Sequence, residues 1–163
     1  MCESIITKIK KYIEGVEQYD DITMLSIGNF SFDFDHEYSC KLDNIQTIMN
    51  VLNSDLRKAN VDEDKINLIN TALDDMLSNI ISYAYKNKNN KFRFQYKIDS
   101  STLIIVTSDK GTPFNPLEAA PPDLGENRPL GGLGIHLIKK IMDTFEYSRN
   151  GNENISVLTK DLY

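Results

Sequence analysis

The sequence predicts an α+β fold, a two-layer sandwich with helices on one face of a mixed or antiparallel sheet. Two observations carry this reading. The strand-like segments "KFRFQYKI" and "TLIIVTSD" follow each other across Asp99-Ser100-Ser101 with no helix between them, whereas a parallel pair needs a long crossover. Three longer segments repeat apolar residues at helical spacing on one side, as helices laid on a sheet do. A doubly wound arrangement would alternate strand and helix along the chain, and this sequence does not.

The elements follow in order. Residues 3–18 place Ile5, Ile6, Ile9, Tyr12, Ile13 and Val16 in a helical stripe with lysines opposite. "DDITMLSI" reads as a short turn and a strand. "NFSFDFDHE" alternates Phe30, Phe32 and Phe34 with polar residues, the period of a half-buried strand. A helix fits residues 42–59, with Leu42, Ile45, Ile48, Met49, Leu52 and Leu56 on one face, and Asn60 to Asp62 break the pattern. The next helix runs from Asp64 to Tyr85 and ends in the polar turn "KNKNNK". After the two strands, residues 111–130 form a proline-rich loop, long enough to suggest a functional segment. An amphipathic helix follows within residues 130–143, "LGGLGIHLIKKIMD", and strands near 145–149 and 154–160 close the chain.

Composition narrows the function. A net charge of −6 argues against nucleic acid as a partner, because phosphate-backbone binding needs clustered Lys and Arg. The two cysteines, Cys2 and Cys40, show no metal-ligand spacing and no disulfide framework. No apolar run reaches the length of a membrane span, and the N-terminus has no signal-peptide core. A cytoplasmic protein with reduced thiols and no membrane contact is the expectation.

Three segments hold candidate chemistry. In "TALDDMLSNIISYAY", Asp75 and Asn79 stand four apart and share one side of a helix, bordering its apolar face. Such a strip is either a solvated helix edge or a pair of oxygen ligands facing a cleft, where Mg²⁺ is the natural hard cation. In "SDKGTPFNP", an apolar strand delivers Asp109 to its end just before Gly111. This is either an Asp-led turn or a buried acceptor for a donor such as the adenine amino group. The third segment places Gly131, Gly132 and Gly134 at the start of a helix. Glycines there serve a tight turn, or they let phosphate oxygens reach the free N–H groups of the first helical turn. No P-loop lysine follows them, and no βαβ unit surrounds them, which excludes the Walker and dinucleotide fingerprints.

Taken in this order, "DMLSNIISYAY", "DKGTPFNP" and "GGLGIHLIKKIMDTFEYSRNGNENISVLTK" resemble the motifs of the bacterial anti-sigma-factor serine/threonine protein kinases. These kinases sit within a wider ATPase group that includes histidine-kinase catalytic domains. The resemblance covers roughly residues 30–160 and implies the histidine-kinase-like ATPase (Bergerat) fold over 29–163. It implies ATP and Mg²⁺ as cofactors, with Asn79 holding the metal and Asp109 reading the adenine amino group. By the same resemblance, Gly111 lets the base approach the backbone, Gly131, Gly132 and Gly134 shape a lid's end around the phosphates, and Arg128 contacts them. Ser156 matches a position where the group often has a Thr supporting the adenine. The lid spans Leu117 to Leu130. Asp75 is the implied catalytic acceptor of the substrate's proton. The partners implied are an anti-anti-sigma factor as substrate, a sigma factor, and a second copy in a homodimer.

Two positions depart from the family pattern. Asp75 stands where the family has Glu, one methylene shorter, and a misplacement near 1 Å in a catalytic group costs up to ~10²-fold. Tyr83 replaces a His and cannot carry positive charge. These departures set a second reading beside the kinase, a nucleotide-gated protein-binding module of the same fold with little or no transfer activity. His36 and His136 read as surface or packing residues. Residues 1–28, with Asp20 and Asp21 before Ile-Thr, resemble the last helix and strand of SpoIIE-like metal-dependent serine phosphatases. The expectation is a C-terminal remnant of such a domain without phosphatase activity, since two aspartates alone build no two-metal site.

Overall fold

The computed structural model describes residues 31–85, 90–119 and 133–163. The expected remnant at 1–28 lies outside them, as does most of the expected lid. Within Phe32–Tyr163, which packs as one unit, five strands form a single sheet: β1 (Phe34–Ser39), β2 (Lys91–Asp99), β3 (Thr102–Asp109), β4 (Thr144–Asn150) and β5 (Glu153–Asp161). Their order is β1-β2-β3-β5-β4, and every neighbouring pair is antiparallel. The sheet is therefore antiparallel throughout, one of the two forms expected. β2 turns into β3 through Ser100 and Ser101, with Ser100 in the left-handed region at φ 56°.

Three helices cover one face: α1 (Asp43–Lys58), α2 (Glu63–Asn79) and α3 (Leu133–Ile141). Asn60, at φ 59°, carries the chain out of α1, the role of a left-handed residue after a helix end. Asp62 then caps α2 by accepting from the Asp64 amide at 2.9 Å. Alternation fixes which strand residues meet the helices. Phe92, Phe94 and Tyr96 from β2 and Leu103 and Ile105 from β3 are buried against Ile48, Leu52, Ile66, Ile69, Leu73 and Leu77. The opposite face of β1 and β2 is charged, with Asp35 and Arg93 paired at 2.5 Å and Glu37 and Lys91 at 2.6 Å.

Some boundaries differ from the sequence reading. The aromatic strand starts at Phe34 and runs on to Ser39, because Phe34 and Tyr38 are the residues that stack on Tyr96 and Phe92 of its partner strand. Leu42 stands before α1 and is 60% exposed. The third expected helix changes character after Asn79, where Ile80–Ala84 form a π-turn. His36 is exposed, its ring edge-on to Tyr38, and His136 is exposed on α3.

Candidate functional site

The π-turn at the end of α2 and the end of β3 meet, and the site is built on that junction. π-turns inside helices widen the spiral by one residue and occur mostly at functional places. Here the turn releases the Ala84 carbonyl, which accepts from the Thr112 amide at 2.7 Å. Gly111 lies directly against it: a Cβ at that residue would stand 2.3 Å from the Ala84 oxygen and 2.7 Å from its carbonyl carbon. The glycine is thus required by a backbone crossing. The space its missing side chain leaves is filled by Ala84. Tyr85 reinforces the junction, its hydroxyl accepting from the Lys110 amide at 2.7 Å and donating to the Lys91 carbonyl at 2.8 Å.

β3 brings Asp109 to this place by simple alternation, since Leu103, Ile105, Thr107 and Asp109 all turn to the helix side and are buried. A buried carboxylate needs donors. The Asp109 Oδ1 accepts from the Gly111 amide at 2.8 Å and from Asn154 Nδ2 at 2.9 Å. Asn154 is the residue directly opposite Asp109 on β5. Its own oxygen accepts from the Tyr147 hydroxyl at 2.8 Å and from Arg149 Nη1 at 2.5 Å. The Asp109 Oδ2 has no hydrogen bond among the described residues, and Asp109 lines a cavity of about 600 Å³.

That volume suits a small-molecule site. Its walls are largely apolar, with Met76 and Ile80 from the end of α2, Ile138 from α3 and Phe145 from β4. Polar groups enter at separate points: Asp109 and Asn154 at one end, Ser156 on β5, and Asn79 at the last α-helical residue of α2. Asn79 lines the cavity, and its side chain makes no hydrogen bond among the described residues. Tyr83 also lines the cavity and is 76% exposed.

Asp75 lies one helical turn before Asn79 and is half-buried. Its carboxylate abuts α3: a Cβ on Gly134 would be 2.9 Å from both Cγ and Oδ1 of Asp75. Burial raises the affinity of Asp75 for its proton, and the neighbouring Asp74 charge adds to this. Lys139 of α3 donates to the Leu117 carbonyl at 2.9 Å, tying that helix to the chain after β3.

The structure thus brings Asn79, Asp109 and Ser156 to one cavity, with Asp75 and Gly134 paired beside it and Gly111 behind it. Arg128, Gly131 and Gly132 lie outside the described residues. Sequence reading missed Asn154, Tyr147 and Arg149. Ser156 makes no hydrogen bond to Asp109, whereas Asn154, two residues earlier on the same face of β5, does. The signal that would have found Asn154 is pairing register, since it faces Asp109 across the β3–β5 ladder.

Comparison with known proteins agrees in kind. A profile of the histidine kinase-like ATPase domain family matches residues 38–160. The serine-protein kinase RsbW of Staphylococcus aureus is 30% identical over 109 residues, which span 61% of this chain and 69% of that protein. An anti-sigma F factor of Clostridium beijerinckii is 29% identical over 102 residues, 60% of this chain and 71% of the relative. Among solved structures, the RsbU and RsbW domains of a Mycobacterium tuberculosis protein superpose with a TM-score of 0.58 at 11% identity. That match is a likeness of fold, covering 79% of this chain and 31% of the other. Among the described residues, no helix is long and apolar enough to cross a membrane.

Proposed function

The chain belongs to the histidine kinase-like ATPase domain family, and we propose that it is an ATP-dependent protein serine kinase of the anti-sigma type. The observation that carries this reading is the Asp109 carboxylate. One of its oxygens is held by Gly111 and Asn154, and the other is left to the cavity. An adenine amino group satisfies that oxygen, while guanine presents a carbonyl there and leaves two acceptors facing each other. The apolar walls from Ile80, Ile138 and Phe145 suit a flat base. Ser156 would border the base, and Gly134, with Gly131, Gly132 and Arg128 before it, would surround the phosphates.

The donor set fits Mg²⁺. Asn79 lines the cavity with its side chain unbonded among the described residues, so its amide oxygen would be available to Mg²⁺, which takes few protein oxygens and keeps several waters. When bound, the ion neutralises charge on the phosphate oxygens. Asp75 is the proton acceptor in this proposal. In the transfer, a bond forms between the substrate serine Oγ and the terminal phosphorus. The bond from that phosphorus to the bridging oxygen of ADP breaks, and the hydroxyl proton passes to Asp75 directly or through one water. Its raised proton affinity favours that role.

The relative named as a serine-protein kinase supports a catalyst over a binding module without transfer, and the relative named as an anti-sigma F factor supports a sigma factor as the protein controlled. The substrate in this reading is a serine on an anti-anti-sigma factor, and the protein held back is a sigma factor. A homodimer in the cytoplasm is the working assembly.

The test is a calorimetric titration of the chain with ATP and GTP, each with and without Mg²⁺. Adenine-selective, magnesium-strengthened binding is expected, and Asn79→Ala should remove the magnesium effect while leaving the fold intact. Folded protein that binds neither nucleotide would sink the reading. Transfer is tested separately with partner protein, where Asp75→Glu keeps or gains activity and Asp75→Asn loses it.

A further inference from the structure

Four contacts fix the Asn154 side chain, and together they allow one orientation of its amide. Its two N–H groups point to Asp109 Oδ1 at 2.9 Å and to the Thr112 carbonyl at 3.2 Å, both acceptors. Its oxygen receives the Tyr147 hydroxyl and the Arg149 guanidinium. A hydroxyl tolerates either end of an amide, but a guanidinium has no acceptor and demands the oxygen. Arg149 is directly opposite Asn154 across the β4–β5 ladder. Among the described residues it makes no ion pair, and its side chain bonds to this amide.

We propose that Tyr147 and Arg149 are positioning residues that lock the Asn154 amide and, through it, hold Asp109 in the state that selects adenine. This rests on the nucleotide reading given above. With the amide locked, Asp109 Oδ1 is occupied by two donors and Oδ2 is presented to the cavity as an acceptor. With the amide turned over, its oxygen would crowd Asp109 Oδ1 and the Thr112 carbonyl, three acceptors with no donor. Asp109 would then lose the Asn154 donor that fixes its carboxylate, and Oδ2 would no longer be held at one place in the cavity. An Oδ2 held in place accepts from the adenine amino group and repels the guanine carbonyl, whereas a carboxylate free to turn does neither well, and the preference falls. The β4–β5 hairpin therefore sets base preference without touching the base through Arg149.

The experiment compares Kd for Mg–ATP and Mg–GTP by calorimetry in the full chain and in three variants: Tyr147→Phe with Arg149→Met, Arg149→Met alone, and Arg149→Lys. Thermal unfolding reports the fold of each. The expected result is an ATP-over-GTP preference reduced about tenfold in the double variant, the worth of one hydrogen bond to a charged group. A smaller fall is expected in the single variant, with recovery when Lys restores a donor. A merely structural role would weaken both nucleotides together and leave the ratio unchanged. That outcome, or no change at all, overturns the inference alone. Wild-type protein that binds neither nucleotide overturns the nucleotide reading and this inference with it. Arg149 is exposed at the end of an edge strand, so its single variant supplies the ratio if the double variant does not fold.

Discussion

The two ends of the cavity follow opposite rules. At the Asp109 end the side chains hold one another: Asp109, Asn154, Tyr147, Arg149 and the Gly111 amide form one connected set of hydrogen bonds, with one Asp109 oxygen outside it. At the Asn79 end, neither Asn79 nor Asp75 has a side-chain hydrogen bond among the described residues, and Asp75 bears the cost of partial burial. A saturated network specifies a single geometry and resists change. Groups left without partners keep their bonding capacity for something that arrives. The first end is built as a gauge, the second as a receiver.

The contrast can be broken at each end, most severely at the first. Gly111→Ala puts a Cβ 2.3 Å from a backbone oxygen that cannot move aside. We expect a loss of about 3 kcal/mol in chemical denaturation, and a loss under 1 kcal/mol would show that the junction yields. Asp109→Asn keeps the shape but halves the acceptors. Calorimetry should find ATP affinity down about 10²-fold, and an unchanged affinity would place the base elsewhere. At the second end the effects shrink. Gly134→Ala meets only the side chain of Asp75, so the expected cost is about 1 kcal/mol. Adding Asp75→Ala should relieve it, and a double-mutant cycle without coupling would dissolve that pairing.

The smallest effect is the most diagnostic. The folded pKa of Asp75 is raised, chiefly by burial and then by Asp74, so its ionised form is disfavoured in the folded state. The resulting destabilisation is present above the folded pKa and vanishes below the unfolded one. Asp75→Asn should accordingly raise Tm slightly at neutral pH, and the gain should close as pH falls through the carboxylate range. A gain that persists at low pH would mean that charge is not its cause.

Much of this was legible in the sequence wherever a local period decided the matter. The alternation Leu103, Ile105, Thr107, Asp109 places the carboxylate inside, and the four-residue step from Asp75 to Asn79 places both on one helix face. What was hidden depends on elements far apart in the chain. Asn154 acquires meaning only when β5 pairs with β3 in the observed register. Gly111 reads as a site glycine beside an aspartate, yet its constraint comes from Ala84, which no local pattern brings near. The π-turn was equally invisible, because "IISYAY" continues a helical stripe, and only its bond to Thr112 gives a reason to widen there. Alternation at Phe32 puts the strand's start before Phe34, because alternation alone does not say where pairing begins.

The junction of Ala84 with Gly111 and Thr112 has one more consequence. Asn79 is separated from it by a single π-turn, and Asp109 by one residue. The span between the amide and the carboxylate is therefore fixed by covalent chain and one hydrogen bond, with no loop to take up slack. Such a span works as a ruler. A molecule seated at one end is measured at the other, and a length that does not match finds nothing there to adjust.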